Sequence, residues 1–262
     1  MKYATVTTNL LDLWMEPRYN CERASQLLFL EPLKAGKQSG DYVLVEQADG
    51  YSGWADIRFL KELSRVEYEN QLKSANAVIS AFDAKLLDNK NSNVQPHFLY
   101  YGTRLKVTAT IDGGLRIKHP LGKYAYIKRN RVRPIKKNAP VTGKKLVKEA
   151  SKWLGVPYLW GGITPAGFDC SGFLKQIFGQ FNIQLPRDTK DQILAGKKVE
   201  RQSIRTGDLL FFKRHAGMAI TKKQMIHCSV GSAGVAIESI ESGQPDYRQD
   251  LDKDFAEARR II

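Results

Sequence analysis

The apolar residues of this 262-residue chain keep one period up to a single break and another beyond it. The break is PIKKNAPVTG, residues 134–143, whose proline, glycine and charge have the character of a linker. Before it, short alternating segments recur between turn residues: LLDLWMEP, ASQLLFLEPLKAG, DYVLVEQADG and YSGWADIRFL, then FLYYGTRLKVTATIDGG, LRIKHPLG and YAYIKRNRVRPI. Alternation turns every second side chain to a buried face, so this half predicts short strands closed into two small barrels. Asp49-Gly50, Asp112-Gly113-Gly114 and Pro120-Leu121-Gly122 read as turns between strands. Beyond the break, GKKLVKEASKWLG places Leu146, Val147, Ala150, Trp153 and Leu154 at helical spacing and stops at Gly155. Strands return from about residue 208, which makes the second half α+β. The expected division is 1–62 and 63–137 for the two barrels and 138–262 for the α+β domain.

A net charge of +14 raises the question of a nucleic-acid partner. The excess is spread over both halves, and no nucleic acid is expected. The densest patch, Arg104 to Lys137, holds eleven Lys or Arg against Asp112 alone. It reads either as a solvated face or as a surface for an anionic polymer. No apolar run approaches the ~18 residues of a membrane span. The N-terminal residues lack the apolar stretch of an export signal, so a cytoplasmic location is expected, or a periplasmic or extracellular one if a signal has been removed ahead of them. Cys21, Cys170 and Cys228 are too few and too scattered for a disulfide framework or a zinc site; no metal and no cofactor are expected.

Cys170 stands in GFDCSGFLKQIF, where a glycine-flanked turn meets a helical pattern. Phe173, Leu174, Ile177, Phe178 and Phe181 share one face, so a helix begins near Asp169 or Cys170. A thiol at a helix start, or beside a cationic histidine, can be shifted toward thiolate. It still needs a base. Of the four histidines, His97 and His119 read as turn or surface residues, which leaves His215 and His227. The expected hairpin pairs 215–221 with 225–231 across Lys222, Lys223 and Gln224. Ala216, Met218, Ile220, Ile226, Cys228 and Val230 then share one face, and His215, Gly217, Ala219, His227 and Ser229 the other. Cys228 is therefore read as a structural thiol. Cys170 is the nucleophile, His215 the base and His227 the group that orients it.

The motifs GVPYLWGG, FDCSGF, LPRDTKDQ, GDLLFF, HAGMAI and MIHCS run in this order over roughly residues 143–240. Together they resemble the NlpC-like cell-wall cysteine peptidases, a bacterial branch of the papain-like fold. The first half resembles the bacterial SH3-like domains that accompany one branch of that family. The resemblance implies an α+β papain-like domain behind two SH3-like barrels. It implies cleavage of the γ-D-glutamyl-diamino acid bond of peptidoglycan stem peptides with a free N-terminal L-Ala. Its catalytic three fall on Cys170, His215 and His227. Its substrate contacts fall on Glu22 and Tyr51, which would cap the ammonium, and on Tyr158 and Trp160, which would line the cleft. Asp169 and Ser171 would flank the nucleophile, with Asp169 toward the ammonium. Asp188 and Thr189 would hold the D-glutamate, with Arg187 on its α-carboxylate. Thr189 stands where serine is frequent in the branch, and Lys213-Arg214 where smaller polar residues are expected. Two other readings stay open: a wall- or polyanion-binding protein on a peptidase scaffold, and a thiol acyltransferase or amidase.

Overall fold

The computed structural model describes residues 1–88, 93–111, 113–119, 122, 124–136 and 139–262. Asp112, Pro120 and Leu121 of the expected turns, and Lys123 and Lys137 of the basic patch, lie outside the described residues. The chain forms two compact units, Met1–Lys136 and Lys137–Ile262.

In the first unit, β1 (Tyr3–Val6), β2 (Leu10–Trp14), β3 (Arg23–Leu28), β4 (Pro32–Ser39), β5 (Tyr42–Glu46), β6 (Ser52–Asp56) and β7 (Leu60–Glu62) form one sheet. Its order is β3-β2-β6-β5-β4-β1-β7. Alternate residues such as Val6, Leu13, Leu27, Val43 and Val45 make its core. Next comes a helix that the strand reading omits, α1 (Arg65–Ser74). Its start is a capping box: the Glu67 N–H donates to Ser64 Oγ, and the Ser64 N–H donates to the Glu67 carboxylate. Tyr68 stacks on Tyr3 with ring centroids 4.6 Å apart.

The strands β8 (Ala77–Ile79), β9 (Asp83–Leu87), β10 (Asn93–Tyr100), β11 (Arg104–Leu105), β12 (Val107–Ile111), β13 (Gly114–Lys118), β14 (Tyr124–Lys128) and β15 (Val132–Pro134) follow. They form the sheets β10-β9-β14-β13-β12 and β11-β8-β15. Their core is built on Ile79, Leu86, Leu99, Leu105, Ile117 and Ile127, and Phe29 from the β3–β4 connection packs into it. His97 is exposed as expected. His119 is not a surface residue: it is buried, and its Nε2 donates to the Gln95 carbonyl at 2.6 Å.

The second unit opens with α2 (Gly143–Ala150), capped by the Thr142 hydroxyl, and a 3-10 turn over Ser151–Trp153. Leu146, Ala150 and Trp153 are buried on the expected face. Leu154 is 48% exposed, because the tighter turn carries it off that face. A hairpin of β16 (Ile163–Thr164) and β17 (Gly167–Phe168) leads into α3 (Cys170–Gly179), followed by α4 (Thr189–Gln192). The rest is β18 (Lys197–Val199), β19 (Leu209–Phe212), β20 (His215–Ala219), β21 (Gln224–Ser229), β22 (Gly234–Ser239), α5 (Gln249–Lys253) and β23 (Phe255–Arg260). The sheet order is β18-β23-β19-β20-β21-β22. Phe173, Leu174, Ile177 and Phe178 of α3 are 0% exposed, and the helix packs on β20 and β21. Among the described residues no helix is long and apolar enough to cross a membrane.

One glycine in this frame is fixed by space. A Cβ on Gly172, in the first turn of α3, would lie 2.3 Å from the Gly162 carbonyl oxygen. Backbone is pressed against backbone there, so no rotamer relieves the clash. Gly172→Ala is expected to lower stability by about 1–3 kcal/mol, seen as a lower urea midpoint. An unchanged midpoint would contradict the close approach.

Candidate active site

The turn before α3 is built around Asp169. Its Oδ1 accepts from the Gly172 N–H at 2.6 Å as a helix cap, and its Oδ2 accepts from the Gly161 N–H at 3.0 Å. Arg187 donates to both oxygens, Nη1 to Oδ1 at 3.1 Å and Nη2 to Oδ2 at 2.5 Å, and Nη1 also reaches Ser171 Oγ at 2.9 Å. Arg187 is only 3% exposed. The resemblance implies substrate contacts for these three residues. The structure bonds them to one another, and the carboxylate that Arg187 holds is that of Asp169. A paired guanidinium and carboxylate at this depth, supplied with further hydrogen bonds, fix the turn that carries Cys170.

Cys170 is buried, with Thr189 Oγ1 3.7 Å from its Sγ. The backbone N–H groups of Ala216 and Ser171 also reach the thiol. Burial and then the Asp169 charge push the thiol above its usual range, and these hydrogen bonds pull only partly the other way. Placement at the helix start therefore does not by itself produce a thiolate, and deprotonation falls to a base.

That base sits on β20. The observed register pairs Gly217 with His227, Met218 with Ile226 and Ala219 with Met225. It differs by two residues from the expected one: Ile220 stands opposite Gln224, and the three-residue loop is Thr221, Lys222 and Lys223. Thr221 Oγ1 accepts from the N–H groups of Lys223 and Gln224 at 3.1 Å each, which closes the turn without glycine. A slip of two preserves the faces, so both histidines still share one. It also brings His227 opposite Gly217, diagonal to His215, with His215 Nε2 2.7 Å from His227 Nδ1. A Cβ on Gly217 would stand 3.1 Å from His227 Cβ, so the glycine leaves room for the ring. Val230, expected on the apolar face, lies past the end of β21 and is 73% exposed.

Burial, then the nearby His227 and Arg248, lower the His215 pKa to about 3. The ring is neutral at physiological pH, and with Nε2 engaged its Nδ1 is the nitrogen left for the thiol. His227 is fully buried, and its Nε2 lies 2.8 Å from Glu238 Oε2. Glu238 also accepts from Ser232 Oγ at 2.7 Å and from Arg248 Nη1 at 2.7 Å. Burial alone would raise its carboxyl, but the hydrogen bonds from His227 and Ser232 and the nearby Arg248 charge outweigh it and hold the group at about 2. Sequence reasoning missed Glu238, Ser232 and Arg248. Extending the alternation one strand further would have found the first, since Gly234, Ala236 and Glu238 share the histidine face of β22.

Cys228 is fully buried, donates to the Phe168 carbonyl at 3.1 Å, and is pushed strongly toward the thiol by burial. Tyr158 is half-buried, its phenol raised by burial and then by Cys170 and Asp169. Trp160 is 59% exposed. Asp188 precedes α4, and both it and Thr189 are half-buried. Glu22 and Tyr51 belong to the first unit; Glu22 is exposed, and the Tyr51 hydroxyl donates to the Ala24 carbonyl at 3.2 Å.

A buried thiol heading a helix, set against an antiparallel sheet that carries a neutral imidazole backed by a second one, defines a papain-like thiol enzyme. The sequence pattern of the NlpC/P60 family matches residues 155–251. The probable endopeptidase NlpC of Escherichia coli is 39% identical over 121 residues, covering 43% of this chain and 74% of that protein. The γ-D-glutamyl-L-lysine dipeptidyl-peptidase of Bacillus subtilis is 26% identical over 243 residues, covering 87% of this chain and 78% of that protein. The crystal structure of an NlpC/P60 family protein from Bacillus cereus superposes with a TM-score of 0.86 at 22% identity, covering 99% of each chain. The chain belongs to the NlpC/P60 family.

Proposed function

We propose that this protein is a cysteine peptidase that hydrolyses the γ-D-glutamyl-diamino acid bond of peptidoglycan stem peptides and prefers a free N-terminal L-Ala. The observation that carries the reading is the 2.7 Å contact that backs the neutral His215 with His227, beside a thiol reached by the Ala216 N–H. His215 takes the Cys170 proton as Sγ attacks the carbonyl carbon. The C–N bond then breaks, and the amine of the diamino acid leaves with the proton that His215 held. Water, deprotonated by the same ring, releases L-Ala-D-Glu from the thioester. Backbone N–H groups at the start of α3 are suited to the oxyanion, and Tyr158 and Trp160 to the walls of the cleft. Asp188 and Thr189 are proposed to hold the D-glutamate. The two halves of the first unit are proposed as SH3-like domains, 1–62 and 63–137, ahead of a catalytic domain over 138–262. The name of the Bacillus subtilis relative, which spans most of this chain, supports the γ-D-glutamyl bond.

The test is mass spectrometry of L-Ala-γ-D-Glu-L-Lys, its meso-diaminopimelate counterpart, the N-acetylated tripeptide and intact sacculi after incubation with the protein. Release of L-Ala-D-Glu from the free tripeptides is expected, with kcat/KM about 100-fold lower or worse for the acetylated one, the scale of a lost charged hydrogen-bond partner. Equal cleavage of the acetylated peptide overturns the N-terminal preference. No cleavage of any substrate overturns the peptidase reading.

A further inference from the structure

The hydrogen-bond chain behind the base does not stop at His227. It runs from His215 Nε2 to His227 Nδ1 at 2.7 Å, and from His227 Nε2 to Glu238 Oε2 at 2.8 Å. The far end is anchored. Ser232 Oγ donates to Glu238 Oε1, and Arg248 Nη1 donates to Oε2, both at 2.7 Å. Arg248 is itself held by Asp250, to which Nε donates at 2.9 Å and Nη2 at 2.7 Å. Guanidinium groups only donate and ionised carboxylates only accept, so the direction of every bond is set from this end. Because Glu238 accepts, His227 carries its proton on Nε2. Its bare Nδ1 must accept in turn, so His215 also carries its proton on Nε2. The Nδ1 of His215 is then unprotonated, as a general base requires.

We propose that Glu238, fixed by Arg248 and Ser232, is a positioning residue that sets the tautomers of both histidines and so presents His215 to Cys170 as a base. The kinetic consequence rests on the peptidase reading; the tautomers do not. When Cys170 reacts, its S–H bond breaks and an N–H bond forms on His215 Nδ1, and the imidazolium so created is opposed by the Glu238 charge beyond His227. Without Glu238, His227 is free to carry its proton on Nδ1 and donate it toward His215 Nε2. The His215 proton then moves to Nδ1, where it blocks transfer from the thiol. A glutamine at 238 separates direction from charge. Only its amide oxygen can accept from Arg248, and His227 shares that same acceptor position, so the direction survives while the charge is lost.

The experiment is long-range 1H–15N correlation of the histidine rings in the full-length protein at neutral pH, beside tripeptide kinetics of Glu238→Ala and Glu238→Gln. Protonated Nε2 and bare Nδ1 on both rings are expected in the unaltered protein. The alanine variant is expected to show mixed tautomers and roughly 100-fold lower kcat, with KM within about twofold. The glutamine variant is expected to keep the tautomers and lose only about tenfold. A His227 ring protonated on Nδ1 in the unaltered protein overturns the proposal, as does a folded alanine variant with unaltered kcat. If the alanine variant does not fold, the spectrum of the unaltered protein decides alone. Failure of the unaltered protein to cleave the tripeptide strikes the peptidase reading, and the ring spectrum still decides the tautomers.

Discussion

Cys170→Ala is expected to abolish release of L-Ala-D-Glu from the free tripeptide, lowering kcat by about 10⁴-fold or more, while leaving the fold in place. The substitution removes one sulfur and little else. Asp169, Gly172 and Arg187 hold the turn through bonds that do not involve the thiol, so the thermal midpoint should move by no more than about 2 °C. Cys228 does not substitute, because it is buried and donates to the Phe168 carbonyl. The measurement is mass-spectrometric product release alongside thermal denaturation of the same sample. Release at the unaltered rate would take the thiol out of the chemistry and leave Cys170 as a packing residue.

His215→Gln should lower kcat/KM by about 10³- to 10⁴-fold, because the thiol loses its proton acceptor. The same variant reports on stability. In the folded chain His215 has a pKa of about 3, whereas the unfolded value is the usual 6.5. Between these values the unfolded chain binds a proton that the folded chain refuses, so stability rises with pH across that window and is lost as pH falls from 6.5 toward 3. Glu238 adds a lower window: held at about 2 in the fold against 4.5 outside it, it stabilises fully above pH 4.5 and loses that contribution as pH falls toward 2. Urea midpoints at pH 7 and pH 5 separate the two, since only the histidine window is crossed. The unaltered protein should drop more than His215→Gln. Parallel drops would contradict a neutral, buried His215.

The parts of this site that were legible in the sequence are those controlled by parity. Alternation of apolar residues decides which face a side chain takes, and it placed His215 and His227 together and Cys228 apart. It cannot distinguish a register from one shifted by two, because both bury the same set. The diagonal approach of the two rings is therefore not encoded in the alternation. Helical spacing located the start of α3 for the same reason. The helix α1 stayed hidden because RVEYENQLKS buries only Tyr68 and offers no apolar period to read. Glu238 and Arg248 escaped because polar pairing between distant segments leaves no pattern along the chain. Asp169 and Arg187 show the limit from the other side: the resemblance singled out both residues, and only geometry revealed that they bind each other.

That ion pair also restricts how the enzyme can be re-engineered. Arg187 stands two residues before Thr189, whose hydroxyl lies 3.7 Å from the nucleophile, and its own guanidinium closes on the aspartate beside that nucleophile. The segment proposed to read D-glutamate and the segment that performs the attack are therefore bolted to a common frame. Any graft of a foreign LPRDTKDQ segment to change substrate preference must bring an arginine at its third position, or Asp169 is left as a buried charge without its partner.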